Sequence, residues 1–183
     1  MTIAVTKKYW TDEELLALTS NGCAVEIIDG EMIVMSPATG FHGESIAELL
    51  SALRSFAKAH RLGKILDGQT GFRMRDGSVL MPDISFVSNE SWKAYAESGE
   101  TFLQRSGELI VEVLSPSDSF DRIDQKLELY FANGTPLAWI VHPRSKTVHV
   151  HRGRIAQRIL SATDSLDGED VLPGFTFLIQ EVF

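Results

Sequence analysis

The stretch Gly107-Glu108-Leu109-Ile110-Val111-Glu112-Val113-Leu114-Ser115-Pro116 decides the fold of this chain. Leu109 to Ser115 is a short run, nearly all aliphatic and rich in β-branched residues, bounded by Gly107 and Pro116, and it reads as a buried strand. Its apolar side chains point to both faces, as in a central strand covered on each side. Glu112 breaks that pattern. It projects with Ile110 and Leu114, because strand side chains repeat every second residue. A carboxylate there must ionise against a cation or another partner, or stay protonated at a cost.

Downstream, Ser115-Pro116-Ser117-Asp118 leads into an amphipathic helix from Phe120 to Ala132, ended by Asn133-Gly134, and Leu137 to Val141 is a second buried strand. Such a strand–helix–strand unit joins parallel strands by a right-handed crossover. Thr147 to Arg152 alternates as a half-buried strand, and Ile155 to Leu160 follows the Gly153 turn. A polar loop then runs to Pro173-Gly174, and Phe175 to Val182 closes the chain as a strand. Upstream, Thr11-Asp12-Glu13-Glu14 opens a short helix ended near Asn21-Gly22. Val25 to Met35, with Asp29-Gly30 at its centre, is a hairpin closed by Ser36-Pro37. A long helix from Phe41 to His60 carries Ile46, Leu49, Leu50, Leu53, Phe56 and Ala57 at helical spacing and ends at Gly63. Strands Lys64 to Asp67, Thr70 to Arg75 and Val79 to Val87 follow, with a turn at Asp76-Gly77 and a short surface helix from Asn89 to Glu97. The pattern predicts one α/β (α+β) domain over residues 1–183, with a mixed sheet, flanking helices and an N-terminal hairpin.

Composition narrows the function classes. The 183 residues are 44% hydrophobic and 23% charged, an ordinary globular balance. The formal net charge of −8 argues against non-specific coating of nucleic acid, but leaves room for a nuclease, whose metal site needs carboxylates. Basic residues gather in one place, Arg144, Lys146, Arg152, Arg154 and Arg158 with His149 and His151. This is either a solvated hairpin or a phosphate-binding stretch. The lone Cys23 forms no intrachain disulfide, and no Cys/His cluster has zinc spacing, so a reducing compartment is the natural reading. The first ten residues lack an apolar signal core, and no run approaches the roughly 20 apolar residues of a membrane span. A cytoplasmic protein is expected.

Pro82-Asp83 lies inside the apolar run Val79 to Val87. Pro82 has no N–H and suits an edge or a bulge, and Asp83 then projects with Met81 and Ser85. A buried Asp and a buried Glu on neighbouring strands make a ligand pair for a hard divalent cation. The plainer alternative is that Asp83 caps a turn while Glu112 pairs with an arginine. Lys126 falls in the stripe Ile123–Lys126–Leu127–Tyr130 that faces the sheet, where a lysine either snorkels past its neighbours or reaches an anion.

Together, Pro82-Asp83, Glu112-Val113-Leu114-Ser115-Pro116-Ser117-Asp118, Asp121, Lys126, Tyr130 and Ala138-Trp139-Ile140-Val141 resemble the Uma-two family. That family is classed with the endonucleases of the restriction-endonuclease-like, PD-(D/E)xK superfamily. The resemblance extends to Glu26-Ile27-Ile28-Asp29-Gly30, to Ser36-Pro37 with His42, and to Leu172-Pro173-Gly174-Phe175. It implies a restriction-endonuclease-like fold and Mg²⁺-dependent hydrolysis of phosphodiester bonds, with Mn²⁺ as substitute and nucleic acid, DNA first, as substrate. Asp83 and Glu112 are the implied metal ligands. The superfamily lysine would stand at position 114, where this chain has Leu114, and the resemblance points instead to Lys126. Glu44 or Glu48 is the candidate first-helix carboxylate. His42 opens that helix, and Tyr130 stands one turn beyond Lys126. For nucleic acid the candidate contacts are Arg144, Lys146, Arg152 and Arg154, and a second copy of the chain is a candidate partner. An inert nucleic-acid- or protein-binding module on the same fold, or another metal-dependent hydrolase, stays open at this point. Convergence of Asp83, Glu112 and Lys126 separates catalysis from a scaffold.

Overall fold

The computed structural model describes residues 9–19, 24–35 and 37–183. The expected helix end at Asn21-Gly22, the lone Cys23, Ser36 and the first eight residues lie outside the described residues.

The deciding stretch is strand β7, Leu109–Val113, with all five residues buried. It is two residues shorter than expected, although the Leu114 N–H still bonds the Val141 carbonyl at 2.9 Å. Before it come helix α1 (Asp12–Thr19), the hairpin β1 (Val25–Ile28) and β2 (Glu31–Val34), and helix α2 (Gly40–His60). Strands β3 (Gly63–Asp67), β4 (Phe72–Arg73), β5 (Val79–Leu80) and β6 (Ile84–Ser88) follow, then helix α3 (Asn89–Ser98). After β7 come helix α4 (Phe120–Ala132), β8 (Leu137–His142), β9 (Thr147–His151), β10 (Ala156–Leu160), β11 (Ser165–Asp167) and β12 (Thr176–Leu178).

The main sheet has the order β10-β9-β8-β7-β6-β3, and a smaller one has the order β2-β1-β5-β4. As the strand–helix–strand unit requires, β7 runs parallel to β8, with Glu112 opposite Ile140. Its other neighbour, β6, is antiparallel. The mixed sheet is buried on both faces. Val111, Val113, Trp139 and Val141 pack with Leu49, Leu53 and Ala57 of α2. Ile110, Ala138 and Ile140 pack with Leu127 and Tyr130 of α4. Glu112, in step with Ile110, therefore points toward α4.

Three expectations are corrected. Val79 to Val87 is not one strand. It breaks at Met81-Pro82-Asp83, and its halves serve different sheets, β5 in the small one and β6 in the main one. Pro82 cannot donate to a ladder, and the neighbouring Met81 N–H goes to the Glu26 carboxylate at 2.8 Å. Gly63 does not end α2; Arg61 does, in the left-handed region at φ 55°. Gly63 serves the sheet instead, because a Cβ there would stand 2.2 Å from the Val87 carbonyl oxygen. Finally, Phe175 to Val182 is strand only at β12, and Ile179–Val182 is a 3₁₀ turn that buries Ile179 and Val182 on one side. Its partner β11 lies within the expected polar loop, where Leu166 is fully buried opposite Phe177.

Candidate active site

Helix α4 brings a lysine onto the buried glutamate. Ser119 caps it, accepting the Arg122 N–H at 3.3 Å, and Lys126, Leu127 and Tyr130 form its buried stripe. Lys126 and Tyr130 are four residues apart, so both lie on the face turned to β7. The Lys126 ammonium stands 2.7 Å from Glu112 Oε1. The Tyr130 hydroxyl donates to the same oxygen at 2.5 Å. Lys126 is only 4% exposed and Glu112 6%, so the lysine does not snorkel to water.

A second carboxylate holds the other side of the ammonium. Glu26 Oε1, on β1, lies 3.0 Å from Lys126 Nζ and also accepts the Met81 N–H. Asp83 occupies the break that Met81 opens. Its Oδ2 accepts the Val113 N–H at 2.7 Å, next in the chain to Glu112. His42 Nε2, from the first turn of α2, stands 3.4 Å from the same oxygen. Asp83, Glu112 and Lys126 thus meet in one place, joined by His42, Tyr130 and Glu26.

The electrostatics follow from how many charges each group faces. Burial pushes the Glu112 carboxyl up to about 7; Lys126 opposes this, while Asp83 and Glu26 add to it. Burial would lower Lys126, but its two carboxylate partners outweigh that and hold it above its ordinary value, so the ammonium stays charged. The asymmetry is physical: the lysine faces two anions, whereas Glu112 faces one cation and two anions. Burial and Glu112 likewise raise the Tyr130 phenol. The hydrogen bond to Asp83 raises His42 against the effect of burial, with the charges of Asp83, Asp118 and Glu112 contributing.

The other nominated residues lie elsewhere. Glu44 and Glu48 are exposed on α2, and the helix meets the site through His42 instead. Arg152 is held by Glu169 and Asp170. Arg154 is held by Asp124 and by Glu128 at 3.3 Å. Arg144 and Lys146 are exposed at the turn between β8 and β9. Sequence reading missed Glu26 as a member of the site. A signal was present, since Val25-Glu26-Ile27-Ile28 is a fully buried strand carrying one acid, the same anomaly that drew notice at Glu112.

Residues 12–180 match the model of the Uma2 family, described as "Putative restriction endonuclease". The chain belongs to this family. A solved structure from Anabaena variabilis, titled as "a putative nuclease belonging to DUF820", matches with a TM-score of 0.80 at 20% identity. The match covers 93% of this Uma2 chain and 96% of that one, and it shows the shared restriction-endonuclease-like fold. A search of curated proteins returned no match. Family and fold support a nuclease of the restriction-endonuclease type. No helix among the described residues is long and apolar enough to cross a membrane.

Proposed function

We propose that this Uma2 chain is a metal-dependent endonuclease that hydrolyses phosphodiester bonds of DNA in the cytoplasm. The observation that carries the reading is the buried Lys126 ammonium, fixed 2.7 Å from Glu112 on the strand whose Val113 N–H holds Asp83. An inert scaffold gains little from a buried cation held among acids, because burying charge is costly even when it is paired.

The donor set fits magnesium or manganese. Protein groups engage Asp83 Oδ2 and Glu112 Oε1, and each carboxylate carries a second oxygen that can serve the cation. No three His, Cys, Asp or Glu side chains among the described residues form a ready cage. Magnesium is commonly bound by one or two carboxylates, with water and phosphate oxygens completing its shell. A cation held by Asp83 and Glu112 would polarise the scissile phosphate and acidify a water.

The chain's own groups do the rest. The Val113 N–H and His42 fix Asp83 Oδ2, which leaves Oδ1 for the cation. Tyr130 and Lys126 fix Glu112 Oε1, which leaves Oε2. The Lys126 ammonium supplies fixed positive charge beside the place a bound phosphate would take, and it stabilises the charge that develops as the bond breaks. Exposed Arg144 and Lys146 are the phosphate contacts this reading favours, since Arg152 and Arg154 are already neutralised. The test is a cleavage assay on duplex and single-stranded DNA and on RNA, with Mg²⁺ or Mn²⁺, beside Asp83→Ala and Lys126→Ala. Cleavage of DNA that requires the ion and is lost in both variants is expected. Activity that survives in Asp83→Ala would overturn the reading.

A further inference from the structure

We infer that Glu26 is a positioning residue of the site: it holds the Lys126 ammonium in place when the charge of Glu112 is committed to a cation. This rests on the endonuclease reading for its purpose, but not for its geometry.

Glu112 carries two conflicting demands. The same carboxylate must neutralise Lys126 at 2.7 Å and serve as a ligand. A divalent ion on Glu112 draws off the negative charge that keeps the lysine in place, and it also repels the ammonium. With Glu112 as its only partner, Lys126 would then be a buried cation without an anion, a costly arrangement. Glu26 resolves the conflict. It is 2% exposed and lies 3.0 Å from Nζ on another element. The lysine can therefore keep one carboxylate while the other turns to metal.

Glu26 is itself held rigid. Its Oε1 accepts the Met81 N–H at 2.8 Å, so the acid that aims Lys126 also braces the chain break from which Asp83 projects. The hairpin carrying it is pinned to α4 one residue from the lysine, where Gln125 Nε2 donates to Asp29 Oδ2 at 2.8 Å. The turn itself is pre-formed, with Asp29 and Gly30 at φ 51° and 78°, the backbone of a tight two-residue hairpin. The N-terminal hairpin is thus part of the active site and sets the direction of Lys126.

The test has two arms. The first uses metal-free Glu112→Gln, in which the partner charge is withdrawn without any ion, and follows the Lys126 ammonium by ¹⁵N NMR. The expected result is a folded protein whose Lys126 ammonium protons remain protected from solvent exchange, because Glu26 still holds them. Loss of that protection, or a protein that no longer folds, would overturn the inference, since holding the lysine is the role assigned. The second arm is Glu26→Gln, which keeps an acceptor for Met81 but removes the charge. A fall in kcat of about 10- to 100-fold is expected, with KM and Mn²⁺ affinity nearly unchanged, as for residues that orient the groups in contact with metal. Wild-type kcat, or an equal loss of Mn²⁺ affinity, would overturn it. If the wild-type chain cleaves no nucleic acid, the endonuclease reading fails while the NMR arm still decides the role of Glu26.

Discussion

Replacing Lys126 by Met keeps most of the side-chain volume and removes the charge between two buried carboxylates. Breaking a buried ion pair by removing one partner costs about 3–5 kcal/mol. For a chain of this size that corresponds to a loss of roughly 6–20 °C in Tm. The loss depends on pH because Glu112 can escape by taking up a proton. In the wild-type protein its folded value is about 7 against an ordinary 4.5. A raised acid contributes stability that is fully present below its unfolded value and is lost as pH rises through its folded value. The wild-type chain should therefore lose stability up to about pH 7 from this group and then level off. Without Lys126 to oppose burial, Glu112 rises further, so the variant continues to lose about 1.4 kcal/mol per pH unit beyond that point. Urea denaturation of both proteins with EDTA, at pH 6 and pH 8.5, measures the difference. Equal deficits at the two pH values, or a deficit below about 1 kcal/mol at pH 8.5, would refute the picture of a lysine holding two ionised acids.

Calorimetry should show Mn²⁺ binding weakly to the wild-type chain and not to Asp83→Asn; equal affinities would remove Asp83 from the ligand set. Reversing exposed Arg144 and Lys146 to Glu should weaken DNA binding and flatten its salt dependence, whereas Arg152→Glu should mainly destabilise the fold by repelling Glu169 and Asp170. A salt slope that changes only in the Arg152 variant would move the interface. His142, packed at a tilt against His149 with a ring separation of 4.0 Å, is depressed to about 4 by burial and by His149 and His151. Its neutral form is favoured in the fold, so stability present above about pH 6.5 should fall as the pH drops toward 4. His142→Phe should flatten that limb of the acid-denaturation curve, and an unchanged limb would assign it to other groups.

Much of this architecture was legible because it is set by local periodicity. The two-residue repeat of Leu109 to Val113 and the three-to-four-residue repeat of Ile123, Lys126, Leu127 and Tyr130 are properties of strand and helix geometry, whatever packs against them. Together they placed a buried glutamate and a sheet-facing lysine on consecutive elements. The hairpin at Asp29-Gly30 was legible for the same reason, and so was α4 from Phe120 to Ala132, ended by Asn133-Gly134, whereas its Ser119 cap came from the structure. The family resemblance added the pairing of Asp83 with Glu112, which local pattern alone left as one option beside a turn cap.

The tertiary structure decided which charges meet. Nothing local in Val25-Glu26-Ile27-Ile28 says that its acid will face Lys126; that contact depends on the small sheet lying against α4. Nor does the run Val79 to Val87 announce that it will divide between two sheets, because the division turns on the Met81 N–H finding Glu26. The basic stretch shows the limit most plainly. Arg152 and Arg154 look free in sequence because no acid stands near them there, yet each is neutralised by acids brought in from other elements. Periodicity assigns a side chain to a face, but its partner is set by strand order and helix placement, and those follow from the packing of the whole core.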